Sequence, residues 1–152
     1  MGQTLEIFVD ADACPVKEEI YRVAFRHDVV VRLVANGYLR HPDHPLIRMQ
    51  MVSDAFDAAD DAIAEAAHPK AVVITADILL ADRCLKAGAT VIGSNGRPFT
   101  ENSIGSAIAT RAIMADLRAG GDAVGGPPPF QKSDRSRFLS ALDAALVKLK
   151  RL

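Results

Sequence analysis

The sequence predicts an α/β fold: three layers, with a mainly parallel sheet flanked by helices. Three observations lead there. Short apolar runs alternate along the chain with stretches of helical period. The runs are built from Val, Ile and Leu, as strands covered on both faces are. Turn residues separate the two kinds of segment. At 152 residues the chain has the size of one domain. Residues 1–152 are therefore expected to form a single unit, with residues 119–132 as a Gly/Pro-rich loop before a C-terminal helix.

The elements follow in order. Leu5–Val9 reads as a strand that stops abruptly at Asp10. Pro15 fits the first turn of a helix, where its missing N–H costs nothing, and that helix is expected to run to about His27. Val29–Ala35 is a β-branched run and a buried strand. "NGYLRHPDHPLI" is a loop by its Gly and Pro content. Arg48–Val52 alternates as a short edge strand does. Ser53 is placed to cap a helix through Ala67. Ala71–Thr75 is the next strand, and Ile78–Ala87 the next helix, ended by Gly88. Thr90–Ile92 is a further strand, followed by a helix from about Glu101 to Arg118. "AGGDAVGGPPPFQKS" is a loop or linker, and Ser133 is placed to cap the last helix. No internal repeat occurs.

Hydrophobic residues make up 49% of the chain and aromatic residues 5%, with no Trp, so the core must be built from aliphatic side chains. The formal net charge is −1, which excludes a protein that binds polyanions by bulk charge. The distribution is uneven. Between residues 51 and 82, Asp54, Asp57, Asp60, Asp61, Glu65, Asp77 and Asp82 face one base, Lys70. The last 22 residues carry Lys132, Arg135, Arg137, Lys148, Lys150 and Arg151 against Asp134 and Asp143. An acidic centre and a basic tail suit a site that holds cations and meets an anionic partner, although charge runs are commonly just solvated faces. Cys14 and Cys84 make neither a disulfide framework nor a zinc-type CxxC pair. No leader pattern precedes the first strand, and no apolar run approaches ~18 residues. A reduced, soluble, cytoplasmic protein without membrane partners is expected.

In parallel sheets, ligands bind outside the carboxyl ends of the strands. Asp10 stands at such an end, with Asp12 two residues on, and Asp77 closes "AVVITAD" at another. The stretch "SDAFDAADDAIAEAA" supplies further carboxylates. At ~100° per residue, Phe56, Ile63 and Ala67 share one helix face, with Asp60 on its border, Asp57 at the edge and Asp61 toward water. A carboxylate beside an apolar face is costly unless a cation or hydrogen bonds compensate. Convergence of Asp10, Asp12, Asp57, Asp60 and Asp77 would raise their pKa values in the absence of a cation. Hard oxygen ligands suit Mg²⁺ or Mn²⁺, and the chemistry would be metal-assisted phosphodiester hydrolysis.

"VDADACPVK", "FDAADDAI", "VITADILLA", "GRPFTENSI" and "GGPPPFQKSDRSRF" occur in this order over nearly the whole chain. Together they resemble the bacterial YaiI/YqxD family, which is grouped with PIN-like domains. The resemblance implies a PIN-like fold with acidic residues at the carboxyl ends of parallel strands, and a Mg²⁺- or Mn²⁺-dependent nuclease with RNA as the expected substrate. The family pattern falls on Asp10, Asp12, Asp57, Asp60 and Asp77 as the catalytic set. Of these, Asp10, Asp57, Asp60 and Asp77 are the expected metal ligands, and Asp12 the residue that positions the attacking water. Asp61 and Asp82 lie outside the pattern. PIN domains commonly carry a Glu in the middle helix, where this chain offers only Asp.

Asn36, Arg40, Arg97, Thr100 and Asn102 fall in strand-end or loop positions of the family motifs and are candidate substrate contacts. Lys132 and Arg135, with Arg137, could hold a nucleic-acid backbone through salt-dependent contacts. Aromatic residues for base stacking are sparse, with only Phe130 and Phe138 near these bases. Cys14 sits at an expected helix N-terminus, which would lower its pKa, yet no histidine lies nearby in sequence, and a packed thiol is expected. His41, Asp43 and His44 of "HPDHP" have a metal-like look in a turn-rich loop. Two other functions fit the same residues. In a haloacid-dehalogenase-type phosphatase, Asp10 would be the nucleophile and Asp12 the general acid, leaving Asp57 and Asp60 without a task. A non-catalytic PIN-like binding or regulatory module is the second, and there five retained aspartates would be unexpected.

Overall fold

The strands form where apolar runs allow burial on both faces. In the computed structural model, which describes residues 4–55, 57–106 and 130–152, they are β1 (Glu6–Asp10), β2 (Val30–Ala35), β3 (Ile47–Met51), β4 (Ala71–Ile74), β5 (Thr90–Ile92) and β6 (Pro98–Phe99). They make one sheet in the order β3-β2-β1-β4-β5-β6. The first five are mutually parallel, and β6 pairs antiparallel with β5. The chain leaves β1 toward β2 and β3 on one side, then returns to lay β4 and β5 on the other. The reversal between β1 and β4 is the switch point of a doubly wound sheet.

Helices cover both faces: α1 (Lys17–His27), α2 (Ala58–Ala66), α3 (Ile78–Lys86) and α4 (Lys132–Lys150). Strand alternation divides the core. Ile7, Val9, Val31 and Leu33 pack with α1 and α4, whose Phe138, Leu142, Leu146 and Leu149 form one buried stripe. Phe8, Val34, Val73 and Val91 pack with Ile63 of α2 and with Leu80 and Cys84 of α3. Each fully buried large aliphatic side chain stabilises by about 1.5–3 kcal/mol. The three-layer α/β architecture expected from the sequence is thus the observed one.

Several boundaries differ from expectation. Pro15 is not in the helix: Ala11–Ala13 form a 3-10 turn, and α1 starts at Lys17 with Val16 as its N-cap. Proline forces Cys14 before it into an extended conformation (ψ 114°), which separates the two. Ser53 does not cap α2; its hydroxyl accepts the Ala55 N–H at 3.4 Å, and the helix begins only at Ala58. The reason is Asp57, which is left-handed (φ 64°, ψ 9°) and so cannot belong to a right-handed helix. Ser133 lies inside α4. The cap is Gln131, which exchanges hydrogen bonds with Asp134 in a capping box.

Strand β6 was unexpected. The turn from Gly93 to Arg97 folds it back on β5, with Gly96 at φ 83° and the Arg97 N–H donated to Asn95 Oδ1 at 3.0 Å. Residues 101–106 are helical, as expected. The rest of that expected helix, 107–118, and the Gly/Pro-rich loop through 129 lie outside the described residues, as does Phe56. No helix among the described residues is long and apolar enough to cross a membrane.

Candidate functional site

Alternation along β1 sends Ile7 and Val9 to the α1/α4 face and Phe8 to the α2/α3 face. Asp10 follows Phe8 by two residues and shares its side. Thr75, the first residue past β4, is 3% exposed. Its hydroxyl donates to Asp10 Oδ2 at 3.0 Å and accepts the Asp77 N–H at 3.0 Å. One buried threonine therefore ties together the two aspartates that end β1 and follow β4, at the switch point itself.

The remaining carboxylates come from neighbouring elements. Asp12 sits on the 3-10 turn, and its Oδ2 accepts the Asn36 N–H just past β2 at 3.1 Å. Asp57 holds its left-handed conformation immediately before α2, and Asp60 is in the first turn of that helix. A non-glycine residue at positive φ is strained by about 1–3 kcal/mol and is found at functional sites more often than elsewhere. Asp10, Asp12, Asn36, Asp57 and Asp60 line one cavity of about 160 Å³. Asp77 stands beside it and caps α3, its Oδ1 accepting the N–H groups of Leu79 at 2.9 Å and Leu80 at 3.2 Å.

The electrostatics follow from this crowding. Burial pushes the Asp10 carboxyl up, opposed by the Thr75 hydrogen bond and reinforced by the charges of Asp77 and Asp12. Asp60 is pushed up to about 6, first by burial and then by the charges of Asp77, Asp10 and Asp57. Among the described residues, no Lys, Arg or His forms an ion pair with any of the five. Other acids do find such partners: Asp61 with Arg83, Asp82 with Lys86, Asp134 with Arg137, and Asp143 with Arg26 and His27. Asp61 and Asp82 are thereby separated from the cluster by their own cations.

A cation fits this donor set in one way only. Among the described residues, no three His, Cys, Asp or Glu side chains are placed to hold one ion together, so there is no preformed cage of the zinc type. Mg²⁺ and Mn²⁺ make a lesser demand. Mg²⁺ is commonly held by one or two carboxylates, with water and substrate phosphate completing its shell. The uncompensated charge of Asp10, Asp57 and Asp60 around a small polar cavity fits that mode.

The expected substrate residues separate into distinct places. Asn36 lines the carboxylate cavity. Arg40 borders another cavity of about 350 Å³, together with Lys17, Tyr21 and His41. Arg97 borders a third, of about 650 Å³. Thr100 exchanges hydrogen bonds with Ser103 at the start of the helical stretch 101–106, on which Asn102 is exposed. Lys132 is exposed on the first turn of α4. Arg135 is committed to structure: it donates to Pro15 O at 2.7 Å and pairs with Glu19 at 3.2 Å, fastening α4 to the entry of α1.

The remaining motifs resolve as structural groups. Cys14 is not activated; burial pushes its thiol up, outweighing its hydrogen bond to the Val16 backbone. His44 stacks on Phe25 with ring centroids 4.5 Å apart and accepts the Leu46 N–H, so "HPDHP" is a local turn. Sequence reasoning missed Thr75, although a threonine that closes an apolar run just ahead of an aspartate was its signal. It also missed Phe99 as a cavity residue. There the signal was the Asn-Gly pair at 95–96, a strong hairpin marker.

Comparison with known proteins adds the lineage. A family model described as "Uncharacterized BCR, YaiI/YqxD family" matches residues 8–148. A UPF0178 protein of Sphingopyxis alaskensis is 72% identical over 146 residues, covering 95% of each chain. One from Jannaschia sp. is 63% identical, covering 95% of this chain and 94% of its own. One from Rhodopseudomonas palustris is 57% identical, covering 95% and 92%. No solved structure matches. With the family pattern running through both the sheet and the carboxylate cluster, the chain belongs to the YaiI/YqxD family.

Proposed function

We propose that the carboxylate cluster is the active site of a Mg²⁺- or Mn²⁺-dependent nuclease that hydrolyses phosphodiesters, with RNA as its substrate. One observation carries the reading: five aspartates gather at the switch point of the sheet and, among the described residues, none of them forms an ion pair, whereas Asp61, Asp82, Asp134 and Asp143 do. The Arg83 charge offsets only part of what burial and the neighbouring carboxylates do to Asp60. An uncompensated cluster is stable at neutral pH when something positive enters it. One or two of Asp10, Asp57, Asp60 and Asp77 would hold each of one or two cations, with water and substrate phosphate completing the shell. A bound Mg²⁺ or Mn²⁺ would supply a polarised phosphate and a water of lowered pKa.

The rest of the chemistry belongs to the chain. Thr75 orients the Asp10 carboxylate. Asp12, exposed at the cavity rim and steadied by the Asn36 N–H, positions the attacking water as a hydrogen-bond acceptor. The test is direct. Mn²⁺ titration calorimetry is run on wild type, Asp10→Asn, Asp77→Asn and Asp82→Asn, alongside cleavage of single-stranded RNA. Binding and cleavage in wild type and Asp82→Asn, with loss of both in Asp10→Asn and Asp77→Asn, are expected. Absence of Mn²⁺ binding in wild type defeats the reading. Hydrolysis of phosphomonoesters without cleavage of RNA moves the assignment to a phosphatase acting through Asp10 and Asp12.

A further inference from the structure

The cavity of about 650 Å³ opens directly beside Asp77, whose neighbours Ala76 and Ile78 form part of its wall. Its volume is in the range of small-molecule sites. Its lining also includes Phe99, Phe130, Arg97 and Arg137. These come from two segments far apart in sequence: the β5–β6 turn with β6, and residues 130–137 at the entry to α4. The Phe130 ring is exposed by 37% and has the Arg135 guanidinium 5.0 Å from its centroid. Arg137 is held by Asp134 at 3.1 Å and by Asn95 O at 3.4 Å. Asp134 also borders the cavity, so the wall carries two guanidiniums against one carboxylate. Among the described residues, the Arg97 guanidinium has no hydrogen bond and no ion pair.

Two aromatic rings and an unpaired guanidinium next to a phosphodiester-cleaving site are the complement of a nucleotide. A base has a π face for Phe99 and Phe130, and its phosphate offers paired oxygens to Arg97. We infer that this cavity is the subsite for the nucleotide adjoining the scissile phosphate, with its base against Phe99 and Phe130 and its outer phosphate on Arg97. The inference rests on the proposed nuclease reading for the position of the scissile bond. Stacking on a side chain requires a base free of its helix, so the ligand is single-stranded nucleic acid, taken with little base preference.

The test measures fluorescence anisotropy of an end-labelled single-stranded RNA dodecamer, in EDTA, on the full chain. The variants are Arg97→Ala and Phe130→Ala, both at exposed positions, and Arg48→Ala, which removes the same charge from β3 at the far edge of the sheet. Arg97→Ala should weaken binding roughly fivefold or more and reduce the salt dependence by about one phosphate contact. Phe130→Ala should weaken it by a similar factor, while Arg48→Ala binds as wild type. Equal affinity in all four proteins, no binding by wild type, or equally tight binding of duplex RNA overturns the subsite. Because the assay needs no metal, its outcome is independent of the Mn²⁺ titration, and failure of one reading is distinguishable from failure of the other.

Discussion

The Thr75 hydroxyl donates a 3.0 Å hydrogen bond to Asp10 Oδ2 while accepting the Asp77 N–H at the same distance. One buried side chain therefore positions the Asp10 carboxylate and the backbone of Asp77 together. Thr75→Val keeps the shape, removes the donor and leaves the Asp77 N–H without its acceptor. The expected result is a loss of roughly tenfold or more in Mn²⁺ affinity and about 1–3 kcal/mol in stability. Thr75→Ser should restore both. Calorimetry and thermal melts on the two variants check this, and unchanged Mn²⁺ affinity in Thr75→Val would remove Thr75 from the site.

Asp60 makes a prediction about stability without metal. Its carboxyl is pushed up to about 6 in the fold, from an ordinary 3.8. A raised carboxyl contributes its stabilisation fully below about pH 4 and loses it as pH rises through 6. Asp60→Asn does not titrate. Relative to the variant, wild type should lose about 1 kcal/mol between pH 4 and pH 8, a figure reduced for the solvent screening of a half-exposed group. Urea unfolding of both proteins in EDTA at the two pH values measures this. A pH-independent difference would contradict it.

The β5–β6 turn presses against α4 at Gly96. A Cβ there would stand 2.5 Å from the Arg137 carbonyl carbon and 2.6 Å from the Phe138 nitrogen, at a backbone φ of +83°. Neither backbone can yield without moving the turn or the helix. Gly96→Ala should destabilise by about 3 kcal/mol, from strained φ together with the clash. Gly37→Ala, with nothing within 4 Å of its Cβ, should change stability by less than about 0.5 kcal/mol. Comparing the two in chemical denaturation separates the close approach from a general effect of replacing glycine.

Past the middle of α4, Asp143 joins α1 through His27 at 2.7 Å and Arg26 at 3.2 Å. The His27 hydrogen bond holds the Asp143 carboxyl below its ordinary range, outweighing the opposing effect of burial. A lowered carboxyl contributes stability above its unfolded pKa and loses it as pH falls through the folded one. Asp143→Asn should therefore be less stable than wild type at pH 6, by about 0.5–1 kcal/mol for a pair this exposed. The gap should narrow as pH falls below the ordinary aspartate range, and denaturation at pH 6 and in acid reads it.

Much of the sheet was legible in the sequence, because parallel strands covered on both faces are largely apolar runs, and β1, β2, β4 and β5 are largely apolar. The ends of those runs also marked Asp10 and Asp77 as a pair worth joining. Helix starts were less legible. Ser53, Pro15 and Ser133 are good cap or first-turn residues by type, yet each was displaced by a local competitor: a left-handed Asp57, the extended Cys14 before a proline, and the Gln131–Asp134 capping box.

What the sequence by itself determined is the α/β layering and the family pattern of aspartates. Both are written in local periodicity and in short motifs. The tertiary structure alone decided which charges remain unpaired and which side chains share a cavity. Asp61 and Asp82 carry the same carboxyl as Asp60, but they form ion pairs with Arg83 and Lys86, whereas Asp60 feels the Arg83 charge without pairing to it. Arg97, Arg137 and Phe130 stood out in the chain one by one and Phe99 did not, yet all four face one space only because β6 turns back beside α4. Charge compensation and enclosure depend on distances between segments tens of residues apart, and strand order fixes those distances.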